Sequence, residues 1–162
     1  MRARILALGL TLVGTTAALA PPAPALAKWP PWLSIETPAF PFDPATRGAV
    51  MLVHCRTHDG AVKLSDLRGT AEGIEQGRRR SIALRLDPTS APGVFALRRQ
   101  WPQQGNWLIR VSLENTTAIV TLDAEGNVAA VRVPTHLVQG QPLPRPVTSQ
   151  EIDSTLALSA RQ

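Results

Sequence analysis

No stretch of this chain before residue 147 carries a helical period. From residue 49 onward apolar side chains recur at every second position instead. Ser81-Ile82-Ala83-Leu84-Arg85-Leu86 places Ile82, Leu84 and Leu86 on one face. Val94 to Trp101 places Phe95 and Leu97 inward, with Ala96 and Arg98 outward. Trp107, Ile109, Val111 and Leu113 share a face opposite Arg110 and Ser112. Ala49 to Cys55 is a continuous apolar run containing one His, suited to a central strand. Ala61 to Leu64 and Leu67 to Ile74 are shorter segments of the same kind. Ala118 to Leu122 and Val128 to Val133 flank a hairpin loop at Asp123-Ala124-Glu125-Gly126-Asn127. Asp87 to Gly93 and Pro102 to Asn106 are rich in turn residues. Roughly seven or eight short strands, with turn signals about every eight to twelve residues, predict an all-β antiparallel sandwich. Two sheets let each half-apolar strand bury one face.

The ends of the chain differ from this middle. Arg2 and Arg4, the apolar run Ile5 to Val13, and the small-x-small sites Ala18-Leu19-Ala20 and Ala25-Leu26-Ala27 form a secretory signal pattern over residues 1–27. The apolar run is shorter than the roughly 20 residues that cross a bilayer. Cleavage after Ala27 or Ala20 is therefore expected, with no transmembrane segment in the mature chain and a periplasmic or secreted location. Residues 28–47 contain five prolines after Lys28-Trp29. They exclude a helix and leave room only for a short edge strand at Trp32-Leu33-Ser34-Ile35-Glu36. The sandwich is expected over residues 48–135, followed by a Gly/Pro-rich linker from Gln139 to Pro146. Thr148-Ser149-Gln150-Glu151 fits a capping box, which predicts a short C-terminal helix over about 149–159 burying Ile152, Leu156 and Leu158.

Pro92-Gly93-Val94-Phe95-Ala96-Leu97, then Trp101-Pro102, then Gly105-Asn106-Trp107-Leu108-Ile109-Arg110-Val111 form a further pattern. It resembles exported bacterial immunoglobulin-like domains of the YtkA-like and FixH-like kind. The resemblance implies an immunoglobulin-like sandwich with the Trp in its core. Some of those relatives are linked to copper handling or oxidase assembly. This chain has no Met/His-rich copper motif, so no functional residue is carried over.

Two clusters have chemical interest. His54, Cys55 and His58 lie within five residues, and imidazole with thiolate suits copper or zinc. On a strand, however, His54 and Cys55 point to opposite faces. His54 and His58 share a face but stand roughly 13 Å apart unless a turn begins near Arg56. The simpler account is a buried thiol beside two half-exposed histidines. Arg78-Arg79-Arg80 precedes one strand and Arg98-Arg99 ends another. If those strands pair, five arginines gather into one basic patch able to hold an anionic surface or acidic partner. The alternative is a solvated hairpin end that blunts a sheet edge.

The whole chain has a formal charge of +5, and loss of Arg2 and Arg4 leaves about +3. Its single cysteine, Cys55, allows no internal disulfide, so the fold depends on core packing. No nucleophile, metalloprotease or phosphate-loop motif is present. The sequence thus predicts an exported, non-catalytic binding or assembly module of the cell envelope, with no cofactor. Its expected partner is another envelope protein or an anionic surface, and not nucleic acid. The alternatives are a copper-handling accessory protein using His54, Cys55 and His58, and a purely structural envelope protein.

Overall fold

The structure is a computed structural model that describes residues 30–39, 43–57 and 62–159. The expected signal peptide and His58 lie outside the described residues. In chain order the strands are β1 (Trp32–Glu36), β2 (Ala49–Arg56), β3 (Leu67–Glu75), β4 (Arg78–Leu84), β5 (Asp87–Pro88), β6 (Val94–Arg98), β7 (Asn106–Leu113), β8 (Thr116–Leu122), β9 (Val128–Arg132), β10 (Thr135–Val138) and β11 (Gln141–Pro144). Helix α1 (Ser149–Ser159) closes the described chain.

All neighbouring strands run antiparallel. One sheet has the order β1-β2-β6-β5 and the other β4-β3-β7-β8-β9. The order is that of an immunoglobulin sandwich, whose first, second and penultimate-pair strands form one sheet while the remaining strands form the other. Here β9 is added beyond the last immunoglobulin strand. The expected all-β immunoglobulin-like sandwich with a short C-terminal helix is therefore the fold.

Strand alternation builds the core. Leu33 of β1, Met51, Val53 and Cys55 of β2, and Phe95 and Leu97 of β6 face Leu67 and Ala71 of β3, the odd-numbered residues of β7 from Trp107 to Leu113, and Ala118 and Val120 of β8. Trp107 is 4% exposed and donates its indole N–H to the Gln104 carbonyl at 2.9 Å. Its ring lies flat on β3 at Gly73, where a Cβ would stand 2.4 Å from the indole carbons. A glycine inside a strand commonly marks such a close approach. Replacing a buried Trp by Ala costs about 3–5 kcal/mol, so Trp107 is among the costliest core side chains to lose.

Several boundaries differ from the expectation, each for a local reason. Strand β4 begins at Arg78 because residues 78–84 pair in unbroken register with Glu75 back to Gly69. Asp87-Pro88, expected in a turn, forms the two-residue strand β5 against Ala96 and Phe95. Strand β6 stops at Arg98, yet Trp101 beyond it is still buried in the core. Ala96 points outward but is 0% exposed. On this outer face the β1–β2 connector is tied down by Arg98, which donates to the Ala45 carbonyl at 2.7 Å and the Arg47 carbonyl at 3.1 Å. Of the segment Ala61 to Leu64, Val62 and Lys63 lie in no strand and Leu64 opens the 3-10 turn Leu64–Asp66, while Ala61 lies outside the described residues. Much of the expected linker is the hairpin β10–β11, turned at Gln139-Gly140, where both residues have positive φ.

Helix α1 spans Ser149–Ser159, as the capping box predicts. The Glu151 amide donates to Thr148 Oγ1 at 3.2 Å, and the Thr148 amide donates back to the Glu151 carboxylate at 3.0 Å. Ile152 and Leu156 pack on Leu108 and Ile119, which leave β7 and β8 on the side away from the sandwich core. Leu158, expected to be buried, is 62% exposed because it falls on the solvent side of the helix.

Candidate functional site

Strand β1 is an edge of its sheet, and its inward residue Leu33 is fixed by the core. The same alternation sends Trp32, Ser34 and Glu36 outward. On β2, the inward Val53 and Cys55 send His54 and Arg56 outward. The register puts Trp32 opposite Arg56 and Ser34 opposite His54. These five side chains line one shallow, open depression on the outer face of the four-stranded sheet.

Trp32 is 55% exposed, whereas Trp101 and Trp107 are each 4% exposed. Large aromatic rings are usually buried, so an indole left in solvent on a flat face is informative. Glu36 reaches diagonally across the strand pair, and its Oε2 lies 2.7 Å from His54 Nε2. Both partners are about one-third exposed or more, so this pair contributes little to stability. Arg56 is exposed and forms no ion pair among the described residues. The face therefore presents an apolar plane and a cation at one end, a hydroxyl in the middle and an imidazole–carboxylate pair at the other end.

Of the alternative metal ligands His54, Cys55 and His58, the sheet separates the first two, and His58 lies outside the described residues. His54 is on this outer face. Cys55 is buried on the inner face, and burial pushes its thiol up to about 11. No group of three His, Cys, Asp or Glu side chains able to hold a metal is found among the described residues. The two side chains diverge as a period-two strand requires.

The arginines are also divided. Arg78, Arg79 and Arg80 lie on β4, an edge of the five-stranded sheet, while Arg98 ends β6 in the other sheet. The pairing that would gather all five does not occur, because β4 pairs with β3 and β6 pairs with β2 and β5. Four of the five are engaged within the fold. Arg79 pairs with Asp153 of α1 and lies 3.6 Å from buried Glu72. Arg80 pairs with Glu75. Arg98 holds Asp87 at 2.6 Å. Arg99 donates to the Gly126 carbonyl at 3.1 Å and stands 5.9 Å from the Trp101 ring centre. Arg78 is exposed.

Trp32, Ser34, Glu36 and Arg56 do not stand out as site residues in the sequence. The W-x-S-x-E alternation of β1 is visible there, but the register that lays it beside His54 and Arg56 is not. No family model, curated protein or solved structure matches this chain.

Proposed function

We propose that this chain is an exported, non-catalytic binding or assembly module of the cell envelope, and that the outer face of β1 and β2 is its recognition surface. Export rests on the signal pattern of residues 1–27. The strand order is that of an immunoglobulin-like sandwich, a fold that hosts many unrelated functions, so the reading rests on the surface and not on the fold. The observation that carries the reading is the exposed Trp32, flanked by Arg56 and by the Glu36–His54 pair. Binding surfaces are enriched in Trp and Arg, and such anchors dominate binding energy.

Ser34, His54 and Glu36 have the composition of a hydrolytic triad. Catalysis would need the hydroxyl bonded to the imidazole and donors aimed at an oxyanion. In the structure the His54 hydrogen bond through Nε2 goes to Glu36, on an open face. That arrangement favours recognition over turnover. The copper-handling alternative uses His54, Cys55 and His58; the His54 and Cys55 side chains leave the sheet on opposite faces, and His58 lies outside the described residues. A purely structural role would leave Trp32 without consequence. Affinity capture from envelope extract with the wild-type protein and with Trp32→Ala decides between these readings. Capture is expected to be lost in the variant while its melting midpoint stays unchanged. Equal capture by both proteins would overturn the assignment of this face.

A further inference from the structure

Resting on that surface assignment, we infer that the ligand held by Trp32, Ser34, Glu36, His54 and Arg56 is a carboxylate-bearing saccharide. Side chains on one face of a strand repeat at about 6.5–7 Å, so Trp32, Ser34 and Glu36 extend over roughly 13 Å along β1. The site is therefore a shallow track rather than an enclosed cleft. A track suits an extended chain of flat units, each in partial contact.

The chemistry along the track narrows the class. The Trp32 indole offers an apolar plane for the C–H face of a pyranose ring, with a polar N–H at its rim. Ser34 and the His54–Glu36 pair offer a hydroxyl, an imidazole and a carboxylate, which together donate to and accept from sugar hydroxyls. Arg56 stands directly opposite Trp32 with its guanidinium uncommitted among the described residues. A planar guanidinium binds a carboxylate through two parallel hydrogen bonds. A sugar ring stacked on Trp32 and bearing a carboxylate satisfies both groups at once. Other classes fit less well. A lipid surface would need a wider apolar area than one indole. A polyphosphate has no apolar ring face to lay on the Trp32 indole. A peptide strand would be recognised mainly by backbone pairing at the free edge of β1, with little need for Trp32 and Arg56 together.

Titration calorimetry on the purified protein tests this. The probes are tetragalacturonate, tetraguluronate and a muramic-acid disaccharide, beside methyl-esterified tetragalacturonate and a tetraglutamate peptide. At least one carboxylated saccharide is expected to bind. Its binding should weaken about tenfold or more in Arg56→Gln, disappear in Trp32→Ala, and be reduced likewise when the carboxylates are esterified. Both residues are exposed, so the variants should melt like the wild type. Binding of no saccharide, binding indifferent to Arg56 or to esterification, or equal binding of tetraglutamate would overturn the ligand class. If the saccharides fail while envelope capture still depends on Trp32, the ligand class falls and the surface assignment stands. If neither depends on Trp32, both fall.

Discussion

Cys55 illustrates what one position on a strand can and cannot reveal. Its place between His54 and Arg56 in a continuous apolar run is enough to predict that thiol and imidazole diverge, because strand geometry leaves no choice. What the run does not reveal is how tightly the thiol is enclosed. Nor does it reveal how closely Gly93 approaches the Cys55 backbone: Gly93 has φ +74, and a Cβ there would stand 2.6 Å from the Cys55 carbonyl oxygen. Burial raises the thiol from 9.0 to about 11, so the folded state favours the neutral form. Unfolded chains lose this proton first as pH rises. The folded protein then binds more protons than the unfolded one, and stability falls with pH across that interval. The contribution is fully present below about pH 9 and declines towards about pH 11, by up to about 2–3 kcal/mol. Denaturant midpoints measured at pH 8 and pH 10.5 should separate wild type from Cys55→Ala, with the alanine variant showing the shallower decline. Parallel profiles would mean that the thiol is accessible in the folded protein. Trp32 and Trp107 make the complementary point. Both stand at the start of alternating strands, Trp32 first in β1 and Trp107 second in β7, yet one is solvent-exposed and the other is in the core, because only the register of each strand against its neighbours decides which parity faces inward.

Among the elements, those with a strong local signal were legible and those defined by a partner were not. Strands β7 and β8 and the hairpin loop at Asp123–Asn127 follow from alternation and turn chemistry, and α1 follows from its capping box. Strand β4 extends into an arginine run because an edge strand tolerates charge and is protected by it from adding another strand. The β10–β11 hairpin contains Pro142 and Pro144, which argue against a strand until the segment is seen as a free two-stranded ribbon with unpaired outer edges. At α1 the local signal is reinforced from outside the helix. Arg145 donates to Glu151 at 2.8 Å and makes a second contact to the same carboxylate. The Arg145 hydrogen bond, then the Thr148 amide, holds the Glu151 carboxyl down at about 2. A carboxylate lowered in the folded state stabilises above its unfolded value of 4.5 and loses that contribution as pH falls through about 2. Acidification from pH 5 to pH 2 should therefore fray the start of α1 before the sandwich melts. Amide exchange at residues 149–156 should show this in wild type, whereas Glu151→Gln should start from lower protection and change less. Identical pH responses would remove the capping carboxylate from the account of how α1 is held.

At the scale of the whole molecule the five-stranded sheet packs on the sandwich core with one face and is covered in part by α1 on the other, whereas the outer face of the four-stranded sheet carries the surface proposed for recognition. The large core lies between the sheets. A small second core of Leu108, Ile119, Ile152 and Leu156 lies under α1. Beside that second core, Glu72 is buried at the sheet surface, 3.4 Å from Arg110 and 3.6 Å from Arg79, and Arg79 continues to Asp153 on the helix. Breaking a buried charge pair costs more than the pair contributes, because the remaining charge stays desolvated. Arg79→Glu would place a third carboxylate between Glu72 and Asp153. The helix is then expected to leave the sheet and uncover Leu108 and Ile119, while the core between the sheets has no contact with the change. Strand content should persist, exchange protection of α1 should fall, and binding of a hydrophobic dye should rise. Saccharide or partner binding through Trp32 should be unchanged, since that residue lies on the other sheet. This last expectation separates two accounts of the arginines. If charge reversal at Arg79 abolished partner capture while α1 stayed protected, the arginine edge would be the recognition surface. If α1 loosens and capture survives, the arginines of β4 serve the fold and recognition belongs to the face of β1 and β2.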